Sequence, residues 1–470
     1  MNQLTLNFSH RCEIQPGPRF QVRRYHIFRN GHFHLVRYYY LDPWCTKPDY
    51  SISAVGYFVP PPEKATSSAD SWVVPGGMEL DYILRKVIVV PFTVQAADRL
   101  SRKVNSSCPG AVLSSWKPYK KYKVLAYEER TVRRKKKYHL DLGFSEDMDC
   151  MDSLNLNFNE LQLMRLEYRP PLPFDIGPAQ EYLQKFHSQL LLGAEGPQAG
   201  NRPTYYQVPL LASQTDSCSF CRVLSKSSAM SPPQLPTSQR LYLPHADLNG
   251  HWMSLRCEVH PYGLFLIRIF IFNSKDSSWQ FRHLYYRDAK CLNPMFILSA
   301  KGSYKVGKPS DTIPDAVEYE FHVSESFLTP EDKQFVNNLI GLHSCGSSSN
   351  WKVNQMVNIT AFGGCKELGI TVPSTEKDLV RFEGREPDLT FLYLGEASED
   401  HQRPTSFQPA LMRCTSLNVA YDDDFLLNYN HLRPLPLVSG SSDLQGIFYH
   451  IIGLIISYDL LLRFRDSFVF

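Results

Sequence analysis

The sequence predicts a mainly β protein, two tandem homologous antiparallel β-barrel or half-barrel domains with a few short helices. The chain repeats itself, its apolar residues alternate with the period of strands, and its cysteines recur at matching places in both copies. Arg11-Cys12-Glu13, Phe20, Arg24, Ile27-Phe28, Phe33, Tyr39-Tyr40, Asp42, Cys45 and Pro48 form the first run. Arg256-Cys257-Glu258, Phe265, Arg268, Ile271-Phe272, Trp279, Tyr285-Tyr286, Asp288, Cys291 and Pro294 form the second. The match continues at Ser53 and Gly56 with Ser299 and Gly302, then at Glu79 with Glu318 and Cys108 with Cys345. It resumes at Trp116 with Trp351 and at Glu160-Leu161 with Glu367-Leu368. It closes at Arg202-Pro203-Thr204 against Arg403-Pro404-Thr405. The first repeat is assigned to residues 1–225 and the second to 245–416, with a Ser/Pro-rich linker at 226–244 between them.

Taken in order, Asn30-Gly31 predicts a tight hairpin between Arg24–Arg29 and His32–Leu41, in a type I′ turn that needs positive φ at both residues. Past it, Phe33, Leu35 and Tyr39 alternate toward one face, as do Trp279, Phe281 and Tyr285 in the second copy. Leu264–Phe272 is nearly continuous apolar, the pattern of a strand buried on both faces. Helices are few. Thr329-Pro330-Glu331-Asp332 reads as a cap ahead of Phe335–Ile340, Thr93–Val104 occupies the same place in the first copy, and Pro178–Leu192, ended by Gly193, is a third. Strand-dominated domains of this size suggest a closed or half-closed barrel with a helix plugging its mouth. Asn7 stands where the second copy has Trp252, so the first strand is expected to have lost its start.

With 43% hydrophobic and 13% aromatic residues, each half can bury a full core. The net charge of +3 hides a local excess: segment 117–138 holds ten Lys and Arg against Glu128 and Glu129. Its residues Lys120, Lys121, Lys123, Arg133, Arg134, Lys135, Lys136 and Lys137 have no counterpart in the second copy. They read as an exposed patch for sulfated glycans or acidic lipid head groups, and nucleic acid is not expected.

The natural disulfides are Cys12–Cys45, Cys108–Cys150, Cys257–Cys291 and Cys345–Cys365. Each closes a loop that contributes about 3 kcal/mol. Cys218, Cys221 and Cys414 are left unassigned; a bridge from Cys414 to one of the other two would leave one thiol free. The lone Cys218-Ser219-Phe220-Cys221 is weak evidence for zinc, and no metal or cofactor is expected. Sequons at Asn7, Asn105 and Asn358 fit a glycosylated, secreted chain, although residues 1–25 contain no apolar signal segment.

None of the common hydrolase, nucleotide or zinc-protease motifs occurs, so a non-enzymatic role is expected. His32 and His34 share a strand face, yet Ser278 and Gln280 replace them in the second copy, which favours solvated or core-edge histidines over a metal site. Glu146, Asp147 and Asp149 lie in a charged, solvent-facing loop. The stripe Phe33, Leu35, Tyr39, Trp279, Phe281 and Tyr285 is most simply core. A barrel this large can also enclose an apolar groove for a lipid. After a linker at 417–443, the apolar stretch 444–462 has the length of a single membrane span. An amphipathic or unstructured tail is the alternative.

These motifs, with Cys45-Thr46-Lys47-Pro48, Gly76-Gly77-Met78-Glu79, Cys108-Pro109-Gly110, Glu160-Leu161-Gln162-Leu163 and Gly363-Gly364-Cys365, resemble the adenomatosis polyposis coli down-regulated protein family, and most its "like" branch. The resemblance implies a membrane-anchored glycoprotein on the extracellular face of the plasma membrane that restrains Wnt signalling. Its implied partners are Wnt ligands, through their acyl chain, and lipoprotein-receptor-related co-receptors. The implied fold is a pair of fused β-barrels with an apolar groove. A general lipid carrier of lipocalin-like type is the second reading, and a lipid-modifying hydrolase the third.

Overall fold

The computed structural model describes residues 3–9, 11–60, 77–108, 115–127, 147–169, 187–194, 202–212, 219–235, 241–242, 247–260, 264–342, 345–386, 389–396 and 403–414. The first copy opens with β1 (Gln3–Phe8), β2 (Glu13–Gln15), β3 (Arg19–Phe28), β4 (His32–Tyr40) and β5 (Pro48–Val59). It continues through β6 (Met78–Glu79), β7 (Asp81–Pro91), α1 (Val94–Ser107), β8 (Tyr122–Tyr127) and β9 (Asp147–Asp149). β10 (Leu163–Arg169), β11 (His187–Leu192) and β12 (Leu210–Ala212) complete its sheet.

A short helix, α2 (Ser219–Ser225), and β13 (Leu241–Tyr242) precede the second copy. That copy holds β14 (Gly250–Ser254), β15 (Glu258–His260), β16 (Leu264–Asn273), β17 (Ser278–Tyr286), β18 (Pro294–Pro309) and β19 (Ala316–Pro330). After α3 (Lys333–Ile340) come β20 (Val357–Asn358), β21 (Gly364–Cys365), β22 (Ile370–Thr371), β23 (Ser374–Glu386), β24 (Leu389–Leu394) and β25 (Leu411–Cys414).

Both copies are antiparallel with one strand order. In the second, β23-β24-β25-β14-β16-β17-β18-β19 becomes a closed eight-stranded barrel because β19 also pairs with β23, from Ala316↔Arg381 to Val323↔Ser374. Closure removes the sheet edges. In the first, β10-β11-β12-β1-β3-β4-β5-β7 curls the same way but meets itself only where Met78 and Glu79 face Met164 and Leu163. Where the second copy extends β23, the first has a 3-10 turn at Asn159–Gln162. The result is a curled half-barrel.

Helix α1 plugs one end of the first barrel. Thr93 caps it, its side chain accepting from Ala96 N at 3.0 Å, and Ala96, Ala97, Leu100 and Val104 enter the core. In α3 the cap is Asp332, which accepts from Phe335 N at 3.1 Å. Thr329 and Pro330, expected as the cap and first turn, instead end β19, because Thr329 is paired with Ile297 in the sheet.

Two other expectations are corrected. Gly31 is left-handed at φ 75 and donates to Phe28 O at 3.1 Å, whereas Asn30 is not left-handed. The hairpin is therefore a longer turn ending in an αL glycine, not the two-residue type I′. His187–Leu192, expected as the end of a helix, is a strand between β10 and β12; Leu190 and Leu192 face the core while Leu191 faces out. Residues 178–186 lie outside the described set. The β1 segment, in which Asn7 stands, pairs with both β3 and β12.

The copies pack against each other and exchange one contact reciprocally. Arg11 Nη1 donates to Tyr393 OH at 2.6 Å, and its counterpart Arg256 Nη1 donates to Gln189 Oε1 at 3.1 Å. Leu163, Leu191 and Tyr206 of the first copy cover Phe265, Ile267, Ile269, Leu284 and Tyr286 on the outside of the second barrel. That cover is why β16 is buried on both faces, as its apolar run predicts. The matching outer face of the first barrel, Val22, Val36, Tyr38 and Tyr40, is covered instead by Cys221, Leu224 and Leu235 from α2 and the segment after it.

Candidate functional site in the barrel interiors

One buried ionic pillar is built twice. In the first copy Arg23 grips Glu13 through Nε to Oε2 at 2.7 Å and Nη2 to Oε1 at 3.0 Å, while Ser9 Oγ donates to Oε1 at 2.7 Å. In the second, Arg268 grips Glu258 at 2.8 and 2.9 Å, and Ser254 Oγ donates at 2.8 Å. Arg23 and Arg268 lie ten residues after their glutamates, so Arg23, not Arg24, is the counterpart of Arg268. A one-residue slip in a strand exchanges faces: Arg24 points outward and donates to Ser227 O. Burial pushes the Glu258 carboxyl up, but Arg268 and His260 outweigh it and hold it at about 2.

Above the pillar the interiors diverge. Arg37, opposite Arg23, pairs with Glu160, which also accepts from Tyr25 OH at 2.7 Å. Matching Met164 to Val380 by their partners Leu192 and Leu394 makes Glu376 the structural counterpart of Glu160, in place of the expected Glu367. Phe270 and His283 then replace Tyr25 and Arg37, leaving Glu376 without the tyrosine and arginine that bind Glu160.

The consequence is a hollow in the second barrel. On β4 the inward residues Phe33, Leu35, Arg37 and Tyr39 are fully enclosed. On β17 the inward residues Phe281, His283 and Tyr285 are only half-buried, while the outward Arg282, Leu284 and Tyr286 are buried. Lining residues that protein surrounds yet solvent reaches mark an internal space. His283 Nε2 is enclosed with no hydrogen-bond partner among the described residues, and burial, with Arg268 and His260, holds its ring near 3. Asp378 accepts from Leu379 N at 2.6 Å and Gly395 N at 2.7 Å. Burial nevertheless raises its carboxyl to about 7, and burial raises Glu376 too. This space is lined partly by ionisable groups.

Among the described residues the other end of the first barrel, away from α1, carries no helix. There Met78, Tyr82, Leu84 and Leu166 pack against the core and remain half-buried. All four face inward: Met78 opposes the core residue Met164, Tyr82 opposes Phe58, Leu84 opposes Gly56, and Leu166 follows Met164 by two. This lining carries no carboxylate, imidazole or ammonium group. The corresponding end of the second barrel is sealed by Phe272, Trp279, Tyr304 and Phe321.

Of the stripe singled out from sequence, Phe33, Leu35, Tyr39 and Trp279 are packed core, and Phe281 and Tyr285 reach the hollow. His32 and His34 lie on the outer face, His34 Nε2 at 2.9 Å from Ser53 Oγ. Among the described residues no group of three or more His, Cys, Asp or Glu is placed to hold a metal. Disulfides join Cys12–Cys45, Cys108–Cys150, Cys257–Cys291 and Cys345–Cys365. Cys221 is disulfide-bonded and Cys414 is a free thiol, which removes the bridge considered for Cys414; Cys218 lies outside the described residues.

Asn105 and Asn358 are exposed, but Asn7 is fully buried in β1 and leaves no room for a glycan. Lys120, Lys121 and Lys123 are exposed, while 133–137 and 444–462 lie outside the described set. Among the described residues no helix is long and apolar enough to cross a membrane. The half-buried Met78, Tyr82, Leu84 and Leu166 were not legible as a site; only Met78 falls in a quoted motif, Gly76-Gly77-Met78-Glu79. A family model described as Adenomatosis polyposis coli down-regulated 1 matches residues 4–236 and 239–420.

Proposed function

Because the chain belongs to the Adenomatosis polyposis coli down-regulated 1 family, we propose that it is a non-enzymatic extracellular protein that restrains Wnt signalling by holding the Wnt acyl chain in the open end of its first barrel. Its disulfides fit an oxidising, extracellular setting. One observation supports acyl capture: Met78, Tyr82, Leu84 and Leu166 form an inward-facing, half-buried apolar lining at the end opposite α1, where no helix lies among the described residues. Each methylene withdrawn from water contributes about 0.8 kcal/mol, so six seated methylenes supply about 5 kcal/mol. The hollow of the second barrel suits an acyl chain less well, since the chain would strip water from Glu376, Asp378 and His283. Binding to lipoprotein-receptor-related co-receptors belongs to the same reading.

The test is native mass spectrometry of secreted protein with an acylated Wnt or a free fatty acid, beside a Wnt reporter. Wild type carries an acyl species that fatty acid displaces, and Leu84→Arg loses both acyl binding and reporter inhibition. Absence of any acyl species and of competition overturns the groove mechanism. Acyl binding with an unaffected reporter replaces Wnt regulation with a general lipid carrier.

A further inference from the structure

Among the described residues the α1 end of the first barrel carries large, exposed apolar side chains. Leu41 and Trp44 are 56% and 47% exposed in the turn between β4 and β5, and Val94 and Tyr119 are 61% and 52% exposed. Their neighbours bring them to one rim. Leu41 N donates to Lys47 O at 3.0 Å, closing the turn. Two residues on, Asp49 pairs with Arg99 of α1, and its carbonyl accepts from Phe92 N at 2.8 Å. Tyr119 N donates to Pro91 O at 2.8 Å, and the Tyr119 ring lies 5.5 Å from that of Phe92.

Around these four residues the exposed charge is basic: Lys47, Lys117, Lys120 and Lys121, with Arg102 and Lys103 on the open face of α1. The aspartates of the turn do not offset it. Asp42 is buried and its carboxylate accepts from Thr46 N at 2.9 Å and Lys47 N at 2.8 Å, while Asp49 is buried against Arg99. The exposed acids are Asp98 on α1 itself, and Asp149 and Asp152 beside its C-terminal half, where Cys150 is bonded to Cys108.

We propose that this rim docks on an anionic lipid surface, with Trp44, Leu41, Val94 and Tyr119 entering the interfacial layer and the surrounding lysines meeting the head groups. Tryptophan and tyrosine are the side chains suited to a boundary that is apolar on one side and wet on the other. Basic residues near such a surface are drawn to it. A sulfated glycan would use the lysines but has no use for Leu41 or Val94, and protein interfaces are depleted in lysine relative to the rest of the surface. Docking this end leaves the apolar opening of the first barrel, at the opposite end, facing away from the lipid.

The experiment is co-sedimentation of the full chain with phosphatidylcholine vesicles, with and without phosphatidylserine, beside retention on immobilised heparin. Wild type binds the phosphatidylserine vesicles preferentially. Trp44→Ser with Tyr119→Ser weakens that binding by about tenfold and leaves heparin retention unchanged. Lys120→Glu with Lys121→Glu weakens both. All these positions are exposed, and an unchanged circular dichroism spectrum verifies folding. Equal binding to neutral and anionic vesicles, or vesicle binding untouched by Trp44→Ser with Tyr119→Ser, overturns the proposal; heparin retention without vesicle binding replaces the lipid with a glycan.

Discussion

Asp378→Asn should change the pH dependence of the second barrel in a direction fixed by two opposed titrations. Burial raises the Asp378 carboxyl from 3.8 to about 7, so its contribution to stability is present below about pH 4 and lost as pH rises through 7. Burial lowers His283 from 6.5 to about 3, so its contribution is present above pH 6.5 and lost as pH falls toward 3. Each shift of about three units corresponds to about 4 kcal/mol at 1.4 kcal/mol per unit. Both groups keep some solvent contact, which brings each to about 2 kcal/mol. In wild type the two slopes offset each other between pH 4 and 6.5 and stability is nearly flat. Asparagine keeps the carbonyl that accepts from Leu379 and Gly395 but cannot ionise. The variant therefore gains about 2 kcal/mol at pH 7.5, little at pH 4, and shows the histidine's rise in between. Guanidinium unfolding at several pH values, followed by the fluorescence of the buried Trp252 and Trp279, measures this. A variant with the wild-type profile would refute the assignment of Asp378 as an acid whose carboxyl is raised to about 7.

Other expectations are more direct. Arg23→Met strands the Glu13 carboxylate in the core and should cost about 3–5 kcal/mol, whereas the double change Arg23→Met with Glu13→Leu recovers much of it; a thermodynamic cycle by denaturant melts tests the coupling. Gly302→Ala would set a Cβ 1.8 Å from His322 O at the bulge of β18, so loss of about 3 kcal/mol or failure to secrete is expected, and a melt within 1 kcal/mol of wild type would contradict the register. In the secreted chain Asn105→Gln and Asn358→Gln should each remove one endoglycosidase-sensitive mass step on a gel, and Asn7→Gln none.

Much of the scaffold is legible in the chain because repetition supplies its own control. The cysteines and inward aromatics recur at nearly constant spacing, and the unbroken apolar run of Leu264–Phe272 announces a strand covered on both sides. What fails is local register. The turn at Gly31 and its longer counterpart near Ser277 differ by a residue, so alignment by residue type alone selects Arg24 over Arg23. Glu160 and Glu376 become counterparts only through pairing across distant strands. The half-buried lining at Met78, Tyr82, Leu84 and Leu166 has the same origin: four common residues from three segments carry no motif until the strands are in place. The segment 187–192 contains a leucine run that satisfies helical and strand periods alike, and its two strand neighbours decide the outcome.

The cover on the outside of the first barrel bears on how this architecture can grow. The second barrel's outer face is filled by the first, but the first barrel's equivalent face is filled by the chain's own α2 segment, through Cys221, Leu224 and Leu235. Because Arg11 and Arg256 each reach into the other copy, the contact between the barrels is reciprocal, and a reciprocal contact uses the same patch on both units and closes at two. Duplication therefore produced a finite object, and the outer face left over on the first barrel is filled in cis rather than by a third unit.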